Sequence, residues 1–454
     1  MGVTLKSFAD EYTFKEIKFE AVVTNYFKNQ KVDLINKTIF ISGFICSDGK
    51  GDFAHIKTYV KRIHKLLPLA PIEVFLVAQK KHKELLAPIN HCNLQIEYSD
   101  GDMFVAENYL SDRKEQLQVK AAKAIRISGP VGIIQVSPIT LCQPFFSSLN
   151  DCSIQEYDEK SNIEPAEVLL RLGLNEDGVG LFTKKIKPYT WNEVEHQSLK
   201  DVLFKSIEDY QSSHSLFFNY KSDLRRFVVH ALDFNFYHQQ LVVDILNFES
   251  INLTDLPLKE LKRKKFNLKS VSIISFNNGI KVEAIHILRK KGKKHLRIIN
   301  VANLTHQDFK KVAYLSSPLM GCTGDSSFCM ALSYGKIIHY QLPVHKQRLY
   351  FNLLNIIKNT FGEDAILAKY MLGVKAKEAN SYDLKDPAIV FQAKELSKVV
   401  STSHSCNQIF DATIKRVVRK HADISYREKE RNLKQQFLEG KITEDELLTH
   451  YPCQ

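Results

Sequence analysis

A chain of 454 residues, 44% hydrophobic and 25% charged, has the make-up of a packed globular protein of two or three domains, which excludes long disorder. No apolar run approaches the ~20 residues that a membrane-spanning helix needs, and the opening MGVTLKSFADEYTFKEIKFE has neither the basic start nor the unbroken apolar core of a secretory signal. The net charge of +12 leaves three kinds of anionic partner open: nucleic acid, a membrane surface, or a phosphorylated ligand.

Residues 1–36 read as a helical extension, with Ala21 to Phe27 supplying an apolar stripe. N-myristoylation is missed by one place, since Lys6 stands where that pattern wants Ser or Thr. From Thr38 to Cys46 a short β-rich run is followed by the polar turn Ser47 to Asp52 and then by apolar residues at helical spacing from Phe53 to Leu67. Strands are predicted at Ile72 to Val77, Leu94 to Glu97, Ala124 to Ile127, Gly132 to Val136, Ser153 to Tyr157 and Val179 to Thr183, with a short helix at Lys81 to Leu86. Trp191 to Tyr210 reads as one long helix bridging two halves. A second series follows: strand Ser215 to Phe218, helix Leu224 to Phe236, strand Val271 to Phe276, helix Lys281 to Lys291, strand Leu296 to Val301 and helix Phe309 to Leu315. Glu395 to Glu439 is largely helical, and the tail is an exposed charged helical hairpin with Thr443 as an N-cap. Alternating strands and helices predict α/β domains with parallel sheets. The expected order is an extension (1–36), a first Rossmann-like domain (37–190), a linker (191–212), a second Rossmann-like domain (213–395) and a C-terminal helical segment (396–454).

The eight cysteines (46, 92, 142, 152, 322, 329, 406 and 453) contain no C-x-x-C pair, so reduced, mostly buried thiols and a reducing compartment are expected. The densest basic runs, Lys259 to Lys265 and Arg289 to Arg297, lack the interleaved aromatics of a base-stacking surface and read as solvated faces.

Three segments can carry chemistry. The first is Asp48-Gly49-Lys50-Gly51-Asp52, placed after the first strand, where open α/β sheets bind ligands. Its paired carboxylates suit an acceptor that must be oriented or deprotonated, whereas the plainer reading makes Asp52 a helix cap. The second is Gly321-Cys322-Thr323-Gly324-Asp325-Ser326-Ser327. Small residues and hydroxyls open a helix there whose free N–H groups suit a diphosphate, with Gln341, His345, Lys346 and Arg348 downstream. The alternatives are an ordinary N-cap and a solvated helix start. The third is Phe218-Asn219-Tyr220, whose rings could hold a base or ribose or simply pack in the core. No Ser/His/Asp signature, P-loop or H-E-x-x-H occurs.

Taken in order, these segments resemble the bacterial protein-arginine rhamnosyltransferases, inverting GT-B enzymes that modify a translation elongation factor. The family's D-x-x-G-D loop matches Asp48 to Asp52, its F-x-Y strand end matches Phe218 to Tyr220, and its Q-x-D-[YF]-D segment is met in part by Gln307-Asp308-Phe309. Its R-G-E-D-S helix opening corresponds to Thr323 to Ser327, and its later Y-x-Q, His and basic-Leu positions to Tyr340-Gln341, His345 and Arg348-Leu349. The resemblance spans residues 38 to about 355. It implies a GT-B-like fold, two Rossmann-like domains facing across a cleft, and transfer from a nucleotide-diphosphate sugar to an acceptor such as a protein arginine, with no metal or other cofactor. It further implies that Asp48 and Asp52 face the acceptor, that Phe218, Tyr220 and Gln307 hold the nucleoside, and that Gly324, Asp325, Ser326, Ser327, Gln341, His345 and Arg348 hold the rest of the donor. The chain departs from the family at Thr323, which replaces its arginine, at Asp325-Ser326, which replaces its Glu-Asp, and at Lys310, which replaces its final aspartate. The same features accommodate a non-catalytic nucleotide- or sugar-binding module, or a bacterial effector acting on a host protein. The expected setting is cytoplasmic or a host cell reached without a signal, with a sugar donor and a protein acceptor as partners and no nucleic acid.

Overall fold

The apolar run after Lys37 folds as strand β1 (Ile39–Ile45), and helix α1 (Lys50–Leu66) follows it in the chain. The computed structural model describes most residues between 50 and 99, between 186 and 203 and between 213 and 451, parts of 15–28, and the strands at 39–45, 125–128, 139–142 and 168–171. The expected strands at 132–136 and 153–157 lie outside these residues.

The first sheet continues with β2 (Ile72–Gln79), β3 (Asn93–Ser99), β4 (Ile125–Ser128), β5 (Ile139–Cys142) and β6 (Val168–Arg171). It is parallel throughout, in the order β3-β2-β1-β4-β5-β6. β2 is buried along nearly its whole length, because a parallel sheet is covered on both faces and its strands are therefore apolar without alternation. α1 presents Phe53, Ile56, Val60 and Ile63 to this sheet at helical spacing, and Leu67 just beyond its end joins them.

The second series opens with α2 (Gln197–Leu203), β7 (His214–Tyr220), α3 (Leu224–His238), β8 (Val242–Asn247), α4 (Leu258–Leu261), β9 (Leu268–Asn277), β10 (Ile280–Ile287) and β11 (Lys294–Asn300). It continues with α5 (His306–Leu315), β12 (Leu319–Cys322), α6 (Asp325–Ser333), β13 (Ile337–Tyr340), α7 (Gln347–Phe361), α8 (Ile366–Ala376) and α9 (Ala388–Ser403). The sheet order is β10-β9-β11-β8-β7-β12-β13, parallel except for β10.

Two expected helices are corrected. Residues 281–291 begin with strand β10, paired antiparallel to β9. The two-residue Asn278-Gly279 link between those strands is a strong hairpin signal in the sequence, and the helix reading passed over it. The predicted helix 191–210 is broken. A single 3₁₀ turn at Trp191–Glu193 is closed by a Thr190–Glu193 capping box, and α2 starts only at Gln197. Between them the Glu195 N–H donates to the buried Asp308 carboxylate at 3.0 Å, which takes away the donor that a continuous helix would need.

The chain divides into two compact units, residues 183–404 and residues 1–182 together with 405–454. In the latter, the return of the chain is marked by a bridge between Leu181 and Ser405. α10 (Asn407–Ala422) then packs Phe410, Ile414, Val417 and Val418 into the α1 core, and Arg62 holds it by donating to Asp411 at 2.8 and 3.1 Å. α11 (Ile424–Leu438) and α12 (Glu444–His450) follow. They are not simply exposed: Tyr426, Phe437, Leu447 and Tyr451 enclose Phe19, Val22, Val23 and Phe27 from the N-terminal segment. Beside this cluster Arg416 and Glu430 form a fully buried ion pair at 2.8 Å, and Glu430 also accepts from the hydroxyls of Tyr426 and Tyr451. Thr443 caps α12 in a capping box with Glu446, as its sequence predicts. The chain is thus α/β, with two Rossmann-like sheets and terminal helical segments, the element content of a GT-B-like fold.

Candidate functional site

In each unit the chain crosses from one side of the sheet's first strand to the other, a reversal of strand order; in the second, β11 is also inserted between β8 and β9. In the first sheet the reversal falls between β1 and β4, and in the second between β7 and β12. Crevices at the carboxyl ends of strands beside such a reversal are where open α/β sheets take ligands, because the loops diverge there and leave backbone groups uncovered. Of the two motifs with most chemistry in the sequence, the one around Gly324 follows β12 and lies at such a position; the other comes after β1 in the chain, where residues 46–49 lie outside the described residues.

In the second unit β7 and β12 run side by side, with Asn219 paired to Gly321 and Tyr220 to Cys322. Asn219 is fully buried. Its amide donates to Asn247 Oδ1 at 3.2 Å and to the Ser222 carbonyl at 3.4 Å, and its Oδ1 accepts from the Ser222 hydroxyl. Asn247 in turn donates to the Glu249 carbonyl at 2.7 Å. This network fixes the turns that leave β7 and β8. It also explains Gly321: a Cβ there would stand 2.1 Å from Asn219 Oδ1 and 2.5 Å from Ser222 Oγ.

Beyond β12 the chain passes through Gly324, with φ +79° and ψ 157°, a conformation open to glycine and strained for other residues. A Cβ built on Gly324 would meet no described atom within 4 Å. The N-cap of the helix that follows, α6, is Gly324 itself, so the N-cap position puts no side chain over the helix end. Its first-turn N–H groups have no partner within the helix, and they carry the positive end of its dipole. Ser326 is exposed in this turn. Ser327 is buried, and its hydroxyl donates to the carbonyls of Thr323 and Gly324 at 3.1 and 3.0 Å, so it braces the turn from within and does not face outward as expected. Asp325 opens α6, and its side chain lies outside the described residues. The Gln341 N–H donates to the Cys322 carbonyl at 3.1 Å, which places Gln341, exposed, at the adjoining end of β13.

Four rings gather at the same edge. Tyr220 lies 5.6 Å from Phe248 and 5.2 Å from Phe309, and Phe218 lies 4.9 Å from each of those two rings. Tyr220, Phe248 and Phe309 are half-buried. Phe218 has no exposed surface, which corrects the expectation that it touches a nucleoside: it is the floor on which the other rings rest. Gln307 is exposed in the first turn of α5. Its neighbour Asp308 is buried, accepting from the Glu195 N–H, and so serves the fold. His345 lies outside the described residues. Arg348 is in the first turn of α7, but its side chain is not described.

In the first unit Asp48 lies outside the described residues. Asp52 sits in the first turn of α1, and its side chain is not described. Among the described residues no group of three or more His, Cys, Asp and Glu side chains could hold a metal ion, and no helix is long and apolar enough to cross a membrane.

Asn219, Ser222 and Asn247 were missed as candidates. Their signal is a repeated one: LFFN, DILN and RIIN each end an apolar run in asparagine, at 219, 247 and 300. A polar side chain closing a fully buried strand must find partners, and here the strand ends supply them to one another. Asn300 similarly donates to Ser275 at 3.1 Å.

No family model and no curated protein matches the chain. Among solved structures, a putative UDP-N-acetylglucosamine 2-epimerase from Listeria monocytogenes is similar at 9% identity and a TM-score of 0.44, over 85% of this chain and 96% of its own. A spinosyn rhamnosyltransferase is similar at 7% identity and a TM-score of 0.42, over 84% of this chain and 100% of its own. A glycosyltransferase from Rickettsia africae is similar at 11% identity and a TM-score of 0.40, over 84% and 98%.

Proposed function

We propose that this chain is a glycosyltransferase that takes its sugar from a nucleotide-diphosphate sugar held at the carboxyl edge of the second sheet. The observation that carries the reading is the N-terminus of α6, with Gly324 as its N-cap, beside the β7/β12 reversal. A diphosphate seated there accepts from the first-turn N–H groups without crossing a side chain, because Gly324 presents none. The half-buried faces of Tyr220 and Phe309 then offer the base a stacking surface. Ser326, Gln307 and Gln341, exposed around the same edge, are donors and acceptors for ribose and phosphate.

In the mechanism we infer, negative charge develops on the leaving diphosphate as the glycosidic bond breaks, and the helix N-terminus stabilises it in place. Asp325, His345 and Arg348 complete the donor site. Asp52, with Asp48, orients the acceptor. An arginine acceptor enters protonated, its pKa being above about 12, so the carboxylates bind and polarise the guanidinium, and one of them takes up the proton that the attacking nitrogen sheds as its bond to the anomeric carbon forms and the bond to the diphosphate breaks. Attack from the face opposite the leaving group inverts the anomeric carbon, and no step calls on a metal.

The test is the unfolding of the second unit in the presence of uridine, thymidine and guanosine diphosphates. The only tryptophan, Trp191, is buried in that unit, so its fluorescence follows this transition. A ligand at a hundred times its Kd stabilises by about 2.7 kcal/mol. If none of the three raises the midpoint, the donor reading fails.

A further inference from the structure

We infer that the amino edge of the second sheet is a docking surface for an anionic lipid membrane. Residues 259–297 hold thirteen Lys and Arg against two Glu, a net +11 of the chain's +12, so the rest of the molecule is close to neutral. The two basic runs are separated in sequence by the β9–β10 hairpin, and the structure brings them together. Leu288 N–H donates to the Lys269 carbonyl at 2.9 Å, the N–H groups of Lys293 and Lys294 both donate to the Asn267 carbonyl at 3.0 Å, and the Arg289 guanidinium donates to the Lys262 carbonyl. Gly292 lies so close to the Leu268 backbone that a Cβ would stand 2.4 Å from it, so the second run is pressed onto the first. The result is one fixed patch in which Lys262, Arg263, Lys264, Lys269, Lys290 and Lys291 are exposed and have no carboxylate partner among the described residues.

Charge alone would suit any polyanion. The apolar side chains beside it decide the class. β10 runs antiparallel, so its carboxyl end lies at this same edge, with Ile287 opposite Ser270. Ile285 is 60% exposed and Ile287 57%, and Leu241, whose carbonyl accepts from the His295 N–H at the start of β11, is 52% exposed. Large aliphatic side chains left in water beside a cationic patch gain nothing from a phosphate backbone. Single-stranded nucleic acid would call for aromatic platforms, and Phe266, the aromatic immediately after the first run, is buried. A bilayer of anionic lipids satisfies both halves: headgroups meet the lysines, and the isoleucines and leucine enter the acyl boundary. This surface lies at the sheet edge opposite the proposed donor site, so the inference stands independently of that reading.

The test is co-flotation of the full chain with phosphatidylcholine vesicles, with and without phosphatidylserine. Each basic side chain near such a surface is worth roughly a five-fold gain in partitioning. The expected result is flotation only with phosphatidylserine, weakening as salt is raised. The triple variant Lys262→Glu, Lys264→Glu, Lys291→Glu abolishes it, while Ile287→Ser weakens it several-fold and leaves its salt dependence unchanged. The milder Lys→Gln triple serves if charge reversal alters the Trp191 unfolding midpoint. Failure of the wild-type chain to float with phosphatidylserine overturns the inference, as does undiminished flotation of a folded triple variant. Retention on duplex DNA as strong as on the vesicles, with Ile287→Ser unaffected on both, makes the patch a general polyanion site and also overturns it.

Discussion

Gly321→Ala tests the link between the strand-end network and the site. The added methyl would lie 2.1 Å from Asn219 Oδ1 and 2.5 Å from Ser222 Oγ, with Phe227 at 3.0 Å on the remaining side. Asn219 is fully buried between β8 and β12 and must swing away, losing its bonds to Asn247 and Ser222. Each buried polar group left without a partner costs about 1–3 kcal/mol, so a loss of about 3 kcal/mol is expected. Urea unfolding followed by Trp191 fluorescence reads this in the correct unit. In an Asn219→Ala background the obstructing amide is gone and the Ser222 hydroxyl can rotate, so Gly321→Ala should there cost about 1 kcal/mol or less. That difference is a coupling energy, which separates the proposed clash from a general intolerance of alanine. A cost below about 0.5 kcal/mol in the wild-type background, or the same cost in both backgrounds, refutes the argument.

Asp52→Asn should abolish sugar transfer yet leave nucleoside diphosphate stabilisation of the Trp191 transition intact; normal transfer by the variant would remove Asp52 from the mechanism. The pair His230 and His339, with ring centroids 5.0 Å apart, should make the second unit acid-sensitive. Burial pushes His230 down to about 4, with Arg226 and Lys265 adding to the effect, and it pushes His339, whose ring nitrogens have no partner, well below the usual range. Above pH 6.5 both states are neutral. Between 6.5 and about 4 only the unfolded chain takes up the proton, so stability falls as pH falls, by about 3 kcal/mol from His230. His339→Leu should flatten that slope in Trp191-monitored unfolding without loss at pH 7.5, and an unchanged slope counts against the pair. Glu430→Gln leaves Arg416 charged and buried, so a loss of about 3 kcal/mol or more is expected in circular-dichroism unfolding, and a change under about 1 kcal/mol would show that the pair is solvated.

Much of the candidate site was legible because it rests on local rules. Gly324 before a run of small and helical residues signals a helix N-terminus, and strand β1 and helix α1 could be placed from periodicity alone. Ser327 and Phe218 were misread for the same reason that they matter. Whether a hydroxyl faces a ligand or turns back on its own loop, and whether a ring is a platform or its floor, depends on what is packed against it. Asn219 and Asn247 stand 28 residues apart and meet only because β7 pairs with β8.

The sequence by itself determined the α/β alternation, the starts of α6 behind Gly324 and of α12 behind Thr443, and the basic excess, since each follows from side-chain spacing, capping chemistry or charge within a few residues. Tertiary structure alone decided that the strand orders reverse beside β1 and beside β12, that residues 405–454 return to the first unit, and that two basic runs joined by a hairpin form one surface. Those outcomes depend on which strands become neighbours, and strand pairing is governed by contacts between residues far apart in the chain, which no local pattern encodes.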